Sequence, residues 1–70
     1  MDKAKLERRL KEAADGAMFV SCHQVEIFMG YGATKTLELL KGTEAVELHG
    51  RRKYFIPDVV EKIIERRVLT

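Results

Sequence analysis

The chain has little cysteine, no long apolar run and no leader pattern. Its one cysteine, Cys22, cannot form a disulfide within the chain, and this fits a reducing compartment. No apolar run approaches the roughly 20 residues that a membrane span needs. Residues 1–13 carry charges throughout and lack the apolar stretch of a signal peptide. We therefore expect a cytoplasmic protein that has no membrane partner.

The chain also lacks a large excess of charge of either sign. The 13 basic and 11 acidic residues leave a formal net charge of +2, which alone does not indicate a nucleic-acid binder. Arg51-Arg52-Lys53 is the one run of three basic residues, and no acidic residue lies within three positions on either side of it. With 46% hydrophobic and 34% charged residues among 70, we expect one globular domain with a small core.

The sequence also lacks the patterns of catalytic sites. We can place no Ser-His-Asp arrangement, no glycine loop for phosphate and no paired carboxylates in a cleft, so we expect no enzymatic activity and no cofactor. Cys22, His23 and His49 are too few and wrongly spaced for a zinc site. Cys22 lies where a helix start can lower the pKa of a thiol, which would suit a redox switch. A small half-buried side chain is the favoured interpretation.

The centre of the chain predicts two short helices. Residues 21–24 fit a capping box, and Val20 and Val25 fit the hydrophobic staple around it. Gly30 and Gly32 then make an uninterrupted helix unfavourable, and a second helical pattern follows them. Two short helices joined by a glycine-containing turn are typical of a helix-turn-helix.

These two helices differ in their apolar faces. In the first, Ile27 lies off the side that Val25, Phe28 and Met29 share, so we expect burial on more than one face. In the second, we expect one buried face and one polar face. The buried face carries Ala33, Leu37 and Leu40, and the polar face carries Thr34, Lys35, Glu38 and Lys41.

The hydrophobic period then changes to that of a strand. Val46 and Leu48 alternate with polar residues, residues 49–52 form a turn in which Gly50 can take a positive φ, and residues 53–56 return. We therefore predict a two-stranded β-hairpin with a basic tip, in which Tyr54 and Ile56 share one side and Phe55 lies on the other. Because an isolated hairpin is marginal in water, it must pack on the helices.

A helix on either side completes the predicted elements. Residues 2–15 form an amphipathic helix that buries Leu6, Leu10 and either Ala13 or Ala14. Residues 18–20 are either a one-bridge strand or an extended lead into the helix cap. Pro57-Asp58 opens a last helix with an apolar stripe of Val59, Val60, Ile63 and Ile64, and Arg66-Arg67 lie at its end. The order predicts an α+β fold, a small winged helix-turn-helix with an N-terminal helix, a two-stranded wing and a C-terminal helix.

Two stretches, FVSCHQVEIFMGYGATKTLELLK and GRRKYFIPDVVEKIIE, resemble a known family. They are similar to the small winged helix-turn-helix proteins that include phage and transposon excisionases and the DNA-binding domain of mercury-resistance-type (MerR) regulators. In that family an apolar residue precedes a Ser or Thr cap, a glycine turn leads to a recognition helix, and a Gly-Arg-Arg wing precedes an aromatic residue and the last helix. The resemblance covers residues 19–67 and leaves residues 1–16 as an accessory helix in a single domain of residues 1–70.

The resemblance implies that the chain binds DNA through two elements. Glu38 stands where Arg often occurs in the family, and Gly32 where Ser is usual. The positions that match the recognition helix are Gly32, Ala33, Thr34, Lys35 and Glu38, and those that match the wing are Arg51, Arg52 and Lys53. Beside them, we expect Lys41 to pair with a phosphate and Gly50 to form the turn of the wing. His49 could donate to a phosphate when protonated, although a polar strand end is its favoured interpretation.

Three functions follow as hypotheses. The first is an excisionase-like directionality factor of a phage or mobile element. It would bind double-stranded DNA in the bacterial nucleoid, act with a site-specific recombinase (integrase) and self-associate on adjacent sites. The second is a small transcriptional regulator that uses the same surface. The third is a protein-interaction module that keeps the fold without DNA binding, and Glu38, Phe55 and the low net charge favour it.

Overall fold

A computed structural model describes residues 3–66 of the chain. These residues form four helices and a three-stranded antiparallel sheet, so the α+β prediction is confirmed. Asp2 and Arg67, which we place in the first and last helices, lie outside the described residues. Within residues 3–66, no helix is both long and apolar enough to cross a membrane. The elements are α1 (Lys3–Ala13), β1 (Phe19–Val20), α2 (Cys22–Met29), α3 (Ala33–Leu40), β2 (Ala45–Leu48), β3 (Arg51–Phe55) and α4 (Ile56–Arg66).

The sheet has one strand more than the predicted hairpin. Strand β1 pairs antiparallel with β3, which places Phe19 opposite Phe55 and Val20 opposite Tyr54. The N–H of Ile56 extends this pairing, since it donates to the Met18 carbonyl at 2.9 Å. Strand β3 therefore lies in the middle of the sheet, in the order β1-β3-β2. The predicted hairpin is present as β2 and β3, and residues 19–20, which the sequence left open as a strand or an extended lead, form the third strand.

The turn between β2 and β3 is shorter than predicted. It consists of His49 and Gly50, whose φ angles of 52° and 76° are both positive, as in a type I′ turn. Arg51 and Arg52 are not in the turn but in β3, opposite Leu48 and Glu47. A two-residue loop with both residues in the left-handed region matches the right-handed twist of the two strands that it joins. The shorter turn also leaves Arg51 and Arg52 free to pair with β2.

The hydrophobic core lies between the helices and one face of the sheet. The expected faces of α1 and α4 are confirmed, with Ala14 and not Ala13 buried and Ile64 only half-buried at the edge. Ile56 is buried as expected but begins α4 and is not a strand residue. The core residues are Leu6, Leu10, Ala14, Val20, Val25, Leu39, Leu40, Tyr54, Ile56, Val59, Val60 and Ile63.

Helix α2 is buried on one side only. Val25 is fully buried, and Phe28 and Met29 are half-buried against the core. Ile27 is 70% exposed. The expectation that α2 is buried on more than one face is therefore wrong, because an isolated apolar residue off the core side of a helix is tolerated in water.

Helix α3 is rotated relative to the predicted face. Leu37 is 56% exposed and Ala33 is exposed, whereas Leu39 joins Leu40 in the core. Thr36 is also fully buried, and its hydroxyl donates to the carbonyl of Gly32 at 3.0 Å. Because this bond satisfies the hydroxyl, a threonine can take the core position that we assigned to Leu37. The prediction of a buried face of Ala33, Leu37 and Leu40 is correct only for Leu40.

Candidate nucleic-acid interface

Local hydrogen bonds and a glycine fix both ends of α2, the helix that precedes α3. The Ser21 hydroxyl accepts from the Gln24 N–H at 3.1 Å, and the Gln24 side chain accepts from the Ser21 N–H at 2.9 Å. The predicted capping box is thus confirmed, and both staple residues, Val20 and Val25, are fully buried. Gly30 ends α2 in the left-handed region, at φ 70°. These constraints fix where α2 begins and ends, and therefore where the turn to α3 starts.

The exposed face of α3 carries every residue that we expect in a recognition helix. Lys35 and Lys41 supply two positive charges and Glu38 one negative charge. Leu37 lies among them, although we had not expected it on this face. Its apolar side chain can contact a thymine methyl group but cannot bind a phosphate. The exposed residues are Gly32, Ala33, Thr34, Lys35, Leu37, Glu38 and Lys41.

Lys35 has an aromatic partner at the start of α3. Its ammonium lies 4.5 Å from the ring centroid of Tyr31, a cation–π contact. Tyr31 packs in turn against the core, so the contact restrains the lysine near the first turn of the helix. Tyr31 is not among the site residues expected from the sequence. The sequence signal for this contact is the spacing of four positions between Tyr31 and Lys35, which places the two side chains close together at a helix start.

The last turn of α3 is bound by α4. The Arg66 guanidinium donates to the main-chain carbonyl of Glu38 at 2.9 Å. The N–H of Lys41 donates to the same carbonyl at 3.3 Å. A cation at the carbonyl end of a helix is favourable for the helix dipole. Arg66 therefore adds a positive charge beside the Glu38 backbone. The two residues are far apart in the sequence, so the sequence pattern does not predict this contact.

The basic residues of the β2–β3 hairpin divide between its two faces. His49, Gly50, Arg51 and Arg52 are exposed, and Lys53 is half-buried. Because side chains alternate along a strand, Arg51 and Lys53 share one face, and Arg52 shares the other with buried Tyr54. Arg52 also pairs across the sheet with Glu47, a favourable opposite-charge position. The three cations therefore form no single basic tip.

The acidic residues are concentrated elsewhere. A cleft between the end of α3 and α4 is lined by four carboxylic acids and one lysine. Lys3 forms an ion pair with one of these acids, Glu61, at 3.4 Å. By contrast, residues 48–57 contain no acid at all. The residues that line the cleft are Gly42, Thr43, Glu44, Asp58, Glu61, Lys62 and Glu65.

Cys22 is not an activated thiol. Burial raises its pKa, and the Glu26 carboxylate, 3.8 Å from the sulfur, raises it further. The helix start does not lower the pKa as we considered, because both local effects disfavour the thiolate. Among residues 3–66, no three potential metal ligands lie together.

The surface chemistry is thus divided between a helix face with two lysines, a basic hairpin and an acidic cleft. Comparison with known proteins finds no matching family model, no similar curated protein and no similar solved structure.

Proposed function

We propose that the chain binds double-stranded DNA as a winged helix-turn-helix. In this proposal α3 is the recognition helix in the major groove, and the β2–β3 hairpin is the wing on the flanking backbone or minor groove. The observation that carries the proposal is the exposed face of α3, which presents Thr34, Lys35 and Lys41 while Leu39 and Leu40 anchor its other side. An α-helix with its side chains is about 10–12 Å across, which suits the roughly 12 Å width of the major groove.

The distribution of charge supports this orientation. Lys35, Lys41, Arg51 and Arg52 are exposed cations on the two elements that would contact DNA. Four acids line the cleft between the end of α3 and α4, and because they repel phosphate, the proposed complex must keep the DNA backbone away from this cleft. Phosphate contacts of this kind set the register on the duplex and carry most of the affinity.

Glu38 limits the affinity of the recognition face. Its carboxylate is exposed between the two lysines in sequence, where it repels phosphate but can accept from a cytosine N4. We expect a monomer with so few cationic contacts to bind weakly alone. It would gain affinity through neighbouring copies on adjacent sites or through a bound recombinase.

Within this proposal, the resemblance to excisionases favours a directionality factor that acts with an integrase at the ends of a mobile element. A transcriptional regulator would use the same DNA-binding surface at a promoter. An excision assay with the cognate integrase separates these roles. Loss of excision in an Arg51→Ala/Arg52→Ala variant supports the first, and normal excision by that variant contradicts it.

DNA binding itself is tested by titrating labelled duplex DNA at low salt and measuring fluorescence anisotropy. We expect the Lys35→Ala/Lys41→Ala variant to bind at least about tenfold more weakly, since each lost phosphate contact removes a favourable ionic term. The matched control is Lys5→Ala/Arg9→Ala, which removes two exposed cations from α1 and should bind nearly as well as the parent. Equal losses in both variants, or no binding by the parent, would contradict the proposal and favour an interaction module.

A further inference from the structure

The strand register defines which side chains lie on the face of the sheet that is turned away from the core. Residues opposite each other in antiparallel strands point to the same side, and side chains alternate along each strand. Val20 and Tyr54, which are opposite each other, are buried in the core. The pairs formed by Phe55, Lys53 and Arg51, which alternate with Tyr54 along β3, therefore point outward. We call this set, Phe19 with Phe55, Val46 with Lys53 and Leu48 with Arg51, the outer sheet face.

The outer sheet face is apolar but open to solvent. Phe55 is 36% exposed and Leu48 is 37% exposed, and Phe19 and Val46 are half-buried. Within residues 3–66, none of these four side chains belongs to the core cluster or packs against it. The rings of Phe19 and Phe55 contact each other, with centroids 5.3 Å apart and planes tilted by 44°. Their contact stabilises the pairing of β1 with β3, but it leaves part of Phe55 uncovered.

The charge of the outer sheet face is of one sign. Its two charged side chains, Arg51 and Lys53, are both cations, and Glu47 of β2 points to the opposite face. Aromatic rings beside cations, with no carboxylate, offer the two contacts that single-stranded nucleic acids use. Bases stack on the rings, and phosphates pair with the cations. A duplex makes the first contact only by unstacking a base step, whereas the bases of a single strand are free to stack on the ring.

We propose that the outer sheet face binds single-stranded nucleic acid. A base stacks on the exposed part of Phe55, beside Phe19, while Arg51 and Lys53 hold the adjoining phosphates and Leu48 contacts a sugar or a second base. Three strands about 4.8 Å apart give room for roughly two nucleotides. This site is separate from the α3 face but shares Arg51 and Lys53 with the proposed wing, so duplex and single-stranded DNA would compete for these two cations.

The probe is a labelled oligothymidine of ten nucleotides, with anisotropy as the readout. We expect the Phe55→Leu variant, which keeps an apolar side chain, to bind roughly tenfold more weakly, as base stacking on an aromatic residue is worth about 1–3 kcal/mol. The Phe55→Tyr variant keeps the ring and should bind like the parent. The matched control, Lys35→Ala/Lys41→Ala, should bind duplex at least about tenfold more weakly and keep most of its oligothymidine binding.

A second measurement requires no substitution. Addition of the oligothymidine should shift the NMR signals of the Phe19 and Phe55 ring protons in the unchanged chain. Three results would overturn the proposal. These are unaltered ring signals, equal oligothymidine binding by the leucine and parent proteins, and full displacement of the oligothymidine by an equally charged polyglutamate, which would indicate an acidic peptide site.

Discussion

Gly30 and Gly32 lie two residues apart in one turn but have different roles. Gly30 has a φ of 70° and a ψ of 27°, in the left-handed region that other residues adopt only at a cost. Gly32 has a φ of −80° and a ψ of 172°, an ordinary extended conformation at the N-cap of α3. A Cβ at either position would meet nothing within 4 Å. Backbone conformation alone therefore distinguishes them.

We expect Gly30→Ala to lower the free energy of unfolding by about 1 kcal/mol, because alanine is strained in the left-handed region. Gly32→Ser should raise it by about 0.3–0.5 kcal/mol, because a serine hydroxyl can accept from an N–H in the first turn of α3. Urea unfolding followed by circular dichroism measures both changes. Equal effects at the two glycines would contradict the assignment of the turn.

Cys22 provides a second prediction at this scale. Burial and the nearby Glu26 carboxylate raise the pKa of its thiol, so the thiolate fraction at pH 8 is low. We expect a disulfide reagent to modify Cys22 more slowly than a free cysteine, and Glu26→Gln to speed the reaction. The folded chain keeps this proton longer than the unfolded chain, so the thiol contributes less to stability as the pH rises past its ordinary pKa. Faster modification than that of free cysteine would refute this description.

Among the elements, α3 depends on its neighbours at both ends. At its start, the buried Thr36 hydroxyl donates back to the Gly32 carbonyl at 3.0 Å. At its end, Arg66 of α4 donates to the Glu38 carbonyl at 2.9 Å. A helix of eight residues is too short to be stable alone, so these contacts and its buried leucines hold it in place.

We therefore expect Arg66→Ala to lower the free energy of unfolding by about 0.5–1 kcal/mol, a modest value because the bond is exposed. Amide hydrogen exchange in the last turn of α3 should become faster than elsewhere in the helix. Arg66→Lys, which keeps a cation near the carbonyls, should recover part of the loss. Unchanged exchange at the N–H of Lys41 would show that this contact does not support α3.

The elements also show what the sequence could and could not predict. Helix α2 was predictable because its capping box, staple and terminal glycine are local signals. The buried face of α3 was not predictable. Thr36 is buried because its hydroxyl is hydrogen-bonded to the Gly32 carbonyl, and the spacing of hydrophobic residues contains no sign of that bond. Strand β1 was left open because its partner, β3, is more than thirty residues away.

The candidate site was predicted for the same local reasons. The exposed polar residues of α3, Lys35 and Lys41 among them, lie where a helical period places them. In the hairpin, the register depends on the length of the turn, and moving the turn by one residue exchanges the faces of every following side chain. A turn of two residues places Arg52 on the face opposite Arg51 and Lys53. The outer sheet face could not be predicted from the hairpin alone, because Phe19 joins it only through the pairing of β1 with β3.

At the scale of the whole molecule, the arrangement of charge matters more than its sum. Although the net charge is only +2, four acids line one cleft, three of them on α4, and residues 48–57 contain no acid. Such an asymmetry orients a small protein on a polyanion before any specific contact forms. It also makes DNA binding depend strongly on salt, because each neutralised phosphate releases counterions.

The salt dependence of duplex binding tests the central proposal most directly. If Lys35, Lys41, Arg51 and Arg52 each contact a phosphate, the logarithm of the association constant should fall with the logarithm of the salt concentration with a slope between about −3 and −4. The Lys35→Ala/Lys41→Ala variant should lose about two units of that slope, and Lys5→Ala/Arg9→Ala should keep it. A slope near zero for the parent, or the same slope in the parent and the Lys35→Ala/Lys41→Ala variant, would contradict DNA binding through α3.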